Sequence, residues 1–274
     1  MNQVITTKDL SHQVGYFKLK DITIQIPKGK ITSIVGSNGS GKSTLLKLIA
    51  RLLEEDSGHI VVNNKRSKQY KAKEFAKVLA MMPQSKQSLP NLTVQELIAF
   101  GRSPYKKRFE TRTSEEDRNV IQWAMEVTNT KKYQDRMFLS LSGGEQQKVR
   151  IAMALAQQTN ILLLDEPTTY LDIAHQFEVM DVLQEINQRY GIAIIMVNHE
   201  LQQAATYSDY LIAMKQGEIV AEGSPENLLT STFLEEVYNI FATVNYIDGY
   251  PIIIPNNRKS NSDERLKAIS NKVM

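Results

Sequence analysis

An α/β fold interrupted by a helical insertion is what this sequence predicts, on three observations. A glycine-rich loop, "GSNGSGKST" (36–44), sits between an apolar, strand-like run and an amphipathic helical pattern. Strand-like runs return late in the chain as "ILLLD" (161–165) and "IAIIMV" (192–197). Between these regions, from about Pro83 to Gln158, the texture is helical with little strand character. With 274 residues, 42% of them hydrophobic, the chain can bury one large core or two modest ones.

The opening residues alternate apolar and polar up to a Pro27-Lys28-Gly29 turn. That predicts antiparallel strands followed by one buried strand over 31–35. After the glycine loop, Leu45, Leu48, Ile49 and Leu52 recur at helical spacing and predict one helix face. Thr93 and Glu96 form a capping box before "LIAF", and Ser142 with Glu145 form a second one. A helix from about Glu115 places Val120, Ile121, Ala124 and Thr128 on one side. Val149, Ala152, Met153 and Ala156 make the face of the next helix, and Val179, Val182, Leu183 and Ile186 that of a helix between the two late strands. "YLIAMKQGEIVAEG" predicts a hairpin turning at Gln216-Gly217. The resulting division is a core over about 1–84 and 158–255, a helical subdomain over about 85–157, and a polar tail, 256–274, expected to fray.

Composition narrows the class. No run approaches the roughly 18 apolar residues of a membrane span, and "MNQVITTKDL" lacks the pattern of a secretory signal. The absence of cysteine excludes disulfides and thiolate metal sites. A soluble cytoplasmic protein is the expectation. The net charge of +3 is too mild to name a partner. The basic run "KRSKQYKAK" (65–73) could touch nucleic acid or anionic lipid, or be a solvated loop and helix face.

The glycine loop matches G-x-x-x-x-G-K-[ST] completely. Glycine lets successive backbone N–H groups point at phosphate oxygens, and the following helix adds its positive end. Lys42 can reach the β- and γ-phosphates, and the Ser43 hydroxyl can ligate magnesium. Asp165 ends an apolar run, where a magnesium-organising acid belongs, and Glu166 follows at a place from which it can polarise an attacking water. A second strip of bare amides occurs at "LSGGEQQ" (141–147). Two consecutive glycines weaken a helix start unless something requires them. An approaching anion would, because Ser142, the amides and the helix dipole together make a second phosphate clamp. One chain already holds its nucleotide with the first loop, so the second clamp is expected to serve another subunit's nucleotide.

"LSGGEQQ" resembles the signature motif of the ATP-binding cassette (ABC) ATPases, and other motifs of that family follow in order from about Val4 to Gly223. The resemblance implies a P-loop core with a mixed sheet, an N-terminal antiparallel β-subdomain and an inserted all-helical subdomain. It implies ATP and Mg2+ as ligands. ATP would be bound by Tyr16, stacked on adenine, and by Gly36, Ser37, Asn38, Gly39, Ser40, Gly41, Lys42, Ser43 and Thr44. Gln84, in "MMPQ", resembles the glutamine that touches magnesium and senses a membrane partner. "ILLLDEP" resembles the Walker B strand, so Asp165 joins Ser43 and Gln84 at magnesium. His199, in "VNHEL", resembles the switch histidine, which fixes the attacking water by position more than by a tuned pKa. Catalysis would rest on Glu166, His199 and Gln84. Leu141, Ser142, Gly143, Gly144 and Glu145 would clamp the partner's ATP, with Leu171 and Asp172 in the D-loop "YLD". Glu145 and Lys148 replace the more usual glutamine and arginine, and Asn198 precedes the histidine where threonine or a small apolar residue is often found. None of these departures removes a catalytic group.

One cassette, no sustained heptads and no cysteine favour a transporter motor over a soluble nucleic-acid-associated cassette. The implied assembly is a homodimer through two sandwiched ATP, on two separate integral-membrane permease subunits at the cytoplasmic face of the membrane. An extracytoplasmic substrate-binding protein completes it, and nucleic acid has no part. "GRSPY" with "EEDRNVIQWAME", and "TTYLDIAHQ" with "LQQAATYSDYLIAMKQGEIVAEG", look like the ferric-siderophore, haem and cobalamin group. An iron-siderophore substrate is expected, with haem or cobalamin as alternatives. "QSLPNLTVQELIAFGR" (87–102) would form one wall of a groove for a permease helix. Leu89, Leu92 and Val94 would either contact that helix or pack the insertion's own core.

Overall fold

The computed structural model describes residues 2–84, 91–107 and 113–256. Its opening strand, β1 (Gln3–Val14), pairs antiparallel with β2 (Phe17–Ile22) and β3 (Gln25–Pro27). The proline-glycine turn then delivers β4 (Ile31–Gly36), in which every residue is buried. The glycine loop follows, then α1 (Lys42–Ile49). This helix is shorter than its apolar spacing implies. Arg51 takes a left-handed φ of 59°, and the Leu52 N–H returns to the Lys47 carbonyl at 2.9 Å, so the chain turns and Leu52 stands 60% exposed. Leu46 takes its place in the core.

The next strand, β5 (Ser57–Val62), pairs antiparallel with β1, and β6 (Lys65–Arg66) extends that sheet. The basic run is therefore only partly a solvated face. Tyr70 is buried, Lys65 lies over its ring at 4.2 Å and pairs with Glu74, and α2 (Ala72–Phe75) buries Phe75.

The second sheet contains β4 together with β7 (Leu79–Met82), β8 (Ile161–Asp165), β9 (Ala193–Val197), β10 (Tyr210–Lys215) and β11 (Glu218–Gly223). Its order is β11-β10-β4-β9-β8-β7, parallel throughout except for the β10–β11 hairpin, which turns at Gln216-Gly217. Both faces are covered, which is why these strands read as unbroken apolar runs. Ile161, Leu163, Ala193 and Ile195 pack toward α1 and the β1 sheet, whereas Leu162, Leu164, Ile194 and Met196 pack toward helices on the other side.

Those helices are α3 (Val94–Ala99), α4 (Glu115–Val127), α5 (Gly143–Leu155) and α6 (Ile173–Tyr190). Among the described residues every element between β7 and β8 is helical, apart from an isolated Thr93–Met137 bridge. Thr93 caps α3 as its box predicts, accepting from the Glu96 N–H at 3.3 Å, and Ser114, not read as a cap in the sequence, accepts from the Asp117 N–H at 3.0 Å. The predicted inward faces of α4 and α6 are buried, and Met153 on α5 is only half-buried. Val94 is fully buried in this core, and Leu89 lies outside the described residues.

Arg102, 1% exposed, ties the start of α4 to the end of α5. Its guanidinium donates to Asp117 at 2.6 Å, to the Ala156 carbonyl at 2.9 Å and to Gln158 at 2.8 Å, and it stacks on Tyr105. A third apolar cluster lies over β10, under α7 (Leu201–Tyr207), α8 (Pro225–Leu228) and α9 (Ser231–Tyr238). The hairpin of β12 (Ala242–Ile247) and β13 (Tyr250–Pro255) covers it. The tail beyond Asn256 lies outside the described residues.

Candidate active site

The glycine loop leaves β4 at its C-terminal end, where ligands of open α/β sheets bind. Two of its glycines are dictated by space as well as by backbone. Gly36 (φ 143°) would place a Cβ 2.1 Å from the Met214 carbonyl, and Gly41 (φ 104°) would drive one into Leu19 and Phe17. The loop is braced from outside by Gly217, whose N–H donates to the Ser40 carbonyl at 3.1 Å. The Lys42 ammonium folds back to the carbonyls of Gly36 at 2.9 Å and Ser37 at 3.0 Å. Burial pushes it below its ordinary pKa, against the opposing pull of Glu166 and Asp165.

Asn38, Gly39, Gly41, Lys42, Ser43 and Thr44 line a cleft of about 610 Å³, large enough for a nucleotide. Gln84, Glu166 and His199 line the same cleft. They come from three strand ends, β7, β8 and β9, which the parallel sheet sets side by side. Asp165 ends β8 almost fully buried and accepts from the Ser43 hydroxyl at 2.7 Å. Burial raises its pKa, the Ser43 hydrogen bond opposes this, and the charge on Glu166 adds to the rise. Glu166 adopts a left-handed φ of 56°, uncommon for a non-glycine residue, with its N–H on the Val197 carbonyl at 3.2 Å. Its carboxylate accepts from the Gln84 amide, meets His199 Nε2, and accepts from Thr169 Oγ1 at 3.0 Å.

A divalent metal fits this donor set. Ser43 Oγ and the Asp165 carboxylate are hard oxygens already in contact, and a buried carboxylate is relieved by a cation. No cluster of three or more carboxylate or imidazole ligands exists among the described residues. Two oxygen donors of this kind suit a hard divalent cation that takes its remaining ligands from water or phosphate.

Tyr16, expected against adenine, is not brought to the cleft. It sits with Gly15 in the tight turn between β1 and β2 and is fully exposed, whereas its neighbour Phe17 lines the cleft beside Gly41. Phe17→Ala is therefore expected to weaken ATP binding by about tenfold, the scale of one lost aromatic stack, and Tyr16→Ala by less than about twofold. Fluorescent-nucleotide titration of the two variants checks this, and the reverse order would restore Tyr16 to the base.

The motif at 141–145 lies elsewhere and lines no part of that cleft. Ser142 caps α5: its N–H donates to Glu145 at 2.8 Å and its Oγ accepts from the Glu145 N–H at 3.4 Å. Leu141 is buried beneath it. A Cβ on Gly143 would meet only Leu171, at 3.7 Å. Gly144 is different, since a Cβ there would fall 2.1 Å from the ring of His175. Asp172 caps α6 through the His175 N–H at 2.9 Å and also holds that ring at 2.7 Å. One of the two glycines is thus required within the chain itself, which the sequence alone did not reveal. The 141–145 loop therefore lies against the start of α6, with Gly143 beside Leu171 and Gly144 beside His175.

The profile of the ABC transporter family matches residues 19–169, more than half of the chain, including the glycine loop, Gln84, residues 141–145 and Glu166. The chain belongs to the ABC transporter family. Its reaction as an ABC ATPase is ATP hydrolysis. Among curated ABC proteins it is 46% identical over 224 residues to a petrobactin import ATP-binding protein of Bacillus anthracis, covering 82% of each chain. It is 38% identical to the ferric enterobactin transport ATP-binding protein of Escherichia coli, over 91% of this chain and 93% of the other. Among solved structures, a metal-chelate type ABC transporter in an inward-facing conformation superposes with a TM-score of 0.81 at 25% identity, covering 94% of this cassette and 100% of that chain. No helix among the described residues is long and apolar enough to cross a membrane.

Proposed function

We propose that this cassette is the ATP-hydrolysing motor of a bacterial importer for ferric siderophores. It works as a homodimer with two ATP sandwiched between protomers, beneath two separate integral-membrane permease subunits at the cytoplasmic face of the membrane. An extracytoplasmic binding protein delivers the substrate, and nucleic acid plays no part. The hydrolytic part rests on one observation: Glu166 is held by Gln84 and His199 at the mouth of the phosphate loop. The siderophore part rests on relatives aligned over most of their length, whose names specify petrobactin and ferric enterobactin.

In this reading the loop amides and Lys42 hold the triphosphate. The Glu166 carboxylate takes a proton from the attacking water, while His199 fixes that water against the γ-phosphate. Magnesium, when bound, is held by Ser43, Asp165 and the Gln84 side-chain oxygen, and offsets charge on the β- and γ-phosphates. Residues 141–145 and 171–172 serve the partner protomer's nucleotide. The described helices between β7 and β8, α3 to α5, then move together against the core.

The permease helix is received by an apolar groove of about 440 Å³ beside Gln84, lined by Met81, Met82, Pro83, Phe100, Ser103 and Met153 among others. Val94 is spent on the core instead, and Phe100, 56% exposed, is the better anchor. Phe100→Asp is expected to leave hydrolysis by the isolated cassette within about twofold of wild type. Permease-stimulated hydrolysis and uptake of iron-loaded siderophore should each fall at least about tenfold. Normal uptake by cells carrying only the variant would remove the groove from this reading, and wild-type cells that take up haem or cobalamin but no ferric siderophore would overturn the substrate.

A further inference from the structure

His199 is separated from α7 by one residue, so whatever fixes α7 fixes the histidine. Two ties hold the helix ends to β4. Asn198 Nδ2 donates to Ser33 Oγ at 3.0 Å, and the same hydroxyl meets Ser208 Oγ at 2.7 Å. The third tie is Gln203, 9% exposed, and it points the other way. Its side-chain oxygen accepts from Thr168 Oγ1 at 3.0 Å, and its amide nitrogen donates to Gln176 Oε1 at 3.5 Å. Gln176 in turn donates to the Leu171 carbonyl at 3.2 Å.

Thr168 and Leu171 are the two ends of one turn, closed by the Leu171 N–H on the Thr168 carbonyl at 3.3 Å. Gln203 and Gln176 therefore grip that turn at both ends. The turn begins two residues after Glu166, and its Thr169 hydroxyl is the one that reaches the Glu166 carboxylate. Left-handed φ values occur at Tyr170 (67°), inside the turn, and at Glu166 (56°), two residues before it. Such conformations persist only where the surroundings over-determine them. The buried amide of Gln203, engaged at both ends, and the half-buried amide of Gln176 supply that constraint.

We propose that Gln203 is a positioning residue for hydrolysis. Through Thr168 and Gln176 it holds the 168–171 turn in register with His199, so that Glu166, His199 and the D-loop take their working positions together. The proposal rests on the reading of Glu166 and His199 as the hydrolytic pair.

Gln203→Met keeps the side chain's length and bulk and removes both hydrogen bonds. In the full chain it is expected to lower kcat about tenfold, the scale of a sub-ångström misplacement, while KM for Mg-ATP stays within about twofold. A purely structural amide would instead lower the melting temperature and leave kcat of the folded fraction intact. Thr168→Val should reproduce the kcat loss, and the double variant should be no slower than the slower single one, because both cut one link. An unchanged kcat in Gln203→Met, or losses that multiply in the double variant, would overturn the proposal. Should Gln203→Met fail to fold, Gln176→Met cuts the other end of the grip, and an unchanged kcat there counts equally against it. Wild-type turnover in Glu166→Gln, run alongside, would instead sink the underlying reading.

Discussion

Glu166→Gln is expected to bind Mg-ATP as tightly as wild type, to slow hydrolysis by about 10²–10⁴-fold, and to run as a dimer when ATP is present. The substitution keeps the shape of a side chain that accepts from Thr169 and meets both Gln84 and His199, so the cleft should hold together. What is lost is the carboxylate able to take a proton from water. With hydrolysis stopped, a nucleotide held between the phosphate loop of one protomer and residues 141–145 of its partner, as proposed, should persist, and the pair should become visible by size exclusion. Lys42→Ala should behave oppositely, losing nucleotide affinity because the buried cation meets the phosphates. A Glu166→Gln protein that hydrolyses at the wild-type rate would remove Glu166 as the base. One that binds ATP, fails to hydrolyse and remains monomeric even with its permease would remove the two-chain role of residues 141–145.

Arg102→Ala is expected to cost about 3–5 kcal/mol of folding stability, the range for stripping one partner from a buried ion pair. The guanidinium is the sole cation in contact with Asp117 among the hydrogen bonds described, and it also satisfies the Ala156 carbonyl at the end of α5. Its removal strands a nearly buried carboxylate and a helix-terminal acceptor together. The effect should depend on pH in one direction. Burial raises the Asp117 carboxyl, but hydrogen bonds from Arg102 and Ser114 outweigh it, and the net pKa lies below the ordinary value. A group depressed in the folded state contributes fully above its unfolded pKa of about 3.9 and loses that contribution as pH falls through the lower folded value. The stability gap between wild type and Arg102→Ala, measured by urea unfolding, should therefore be level at neutral pH and narrow on acidification, starting above about pH 4 because the variant's stranded carboxylate, raised by burial, takes up its proton before the paired one does. A gap that widens on acidification would contradict this account.

The parallel core was legible because its strands are buried on both faces and its helices carry side-chain caps, both of which are local signals. Thr93, Ser142 and the Gln216-Gly217 turn all stand where the residues said they would. The gathering of Gln84, Glu166 and His199 was legible only through motif order, since each sits at a different strand end and no local pattern joins them. What escaped notice depended on tertiary contact. Leu52 fits the helical period, yet a left-handed Arg51 turns it outward. Tyr16 and Phe17 are adjacent aromatics, and which one faces the cleft is decided by the register of the β1–β2 hairpin. Gln203 looks like any helical glutamine until the fold brings Thr168 and Gln176 to it.

The contact between Gly144 and His175 has a consequence for heredity. Because a methyl group at 144 would overlap the imidazole, a step to alanine or serine at that position requires His175 to move. Position 175 is less constrained, since a smaller side chain there meets no overlap with glycine and gives up only the contact with Asp172. The two sites, 31 positions apart in the chain, are coupled in one direction: bulk can be added at 144 only after it is removed or turned aside at 175. Descendants of this sequence should show that order as correlated substitution, and a library randomised at both positions at once should yield active combinations that neither position yields alone.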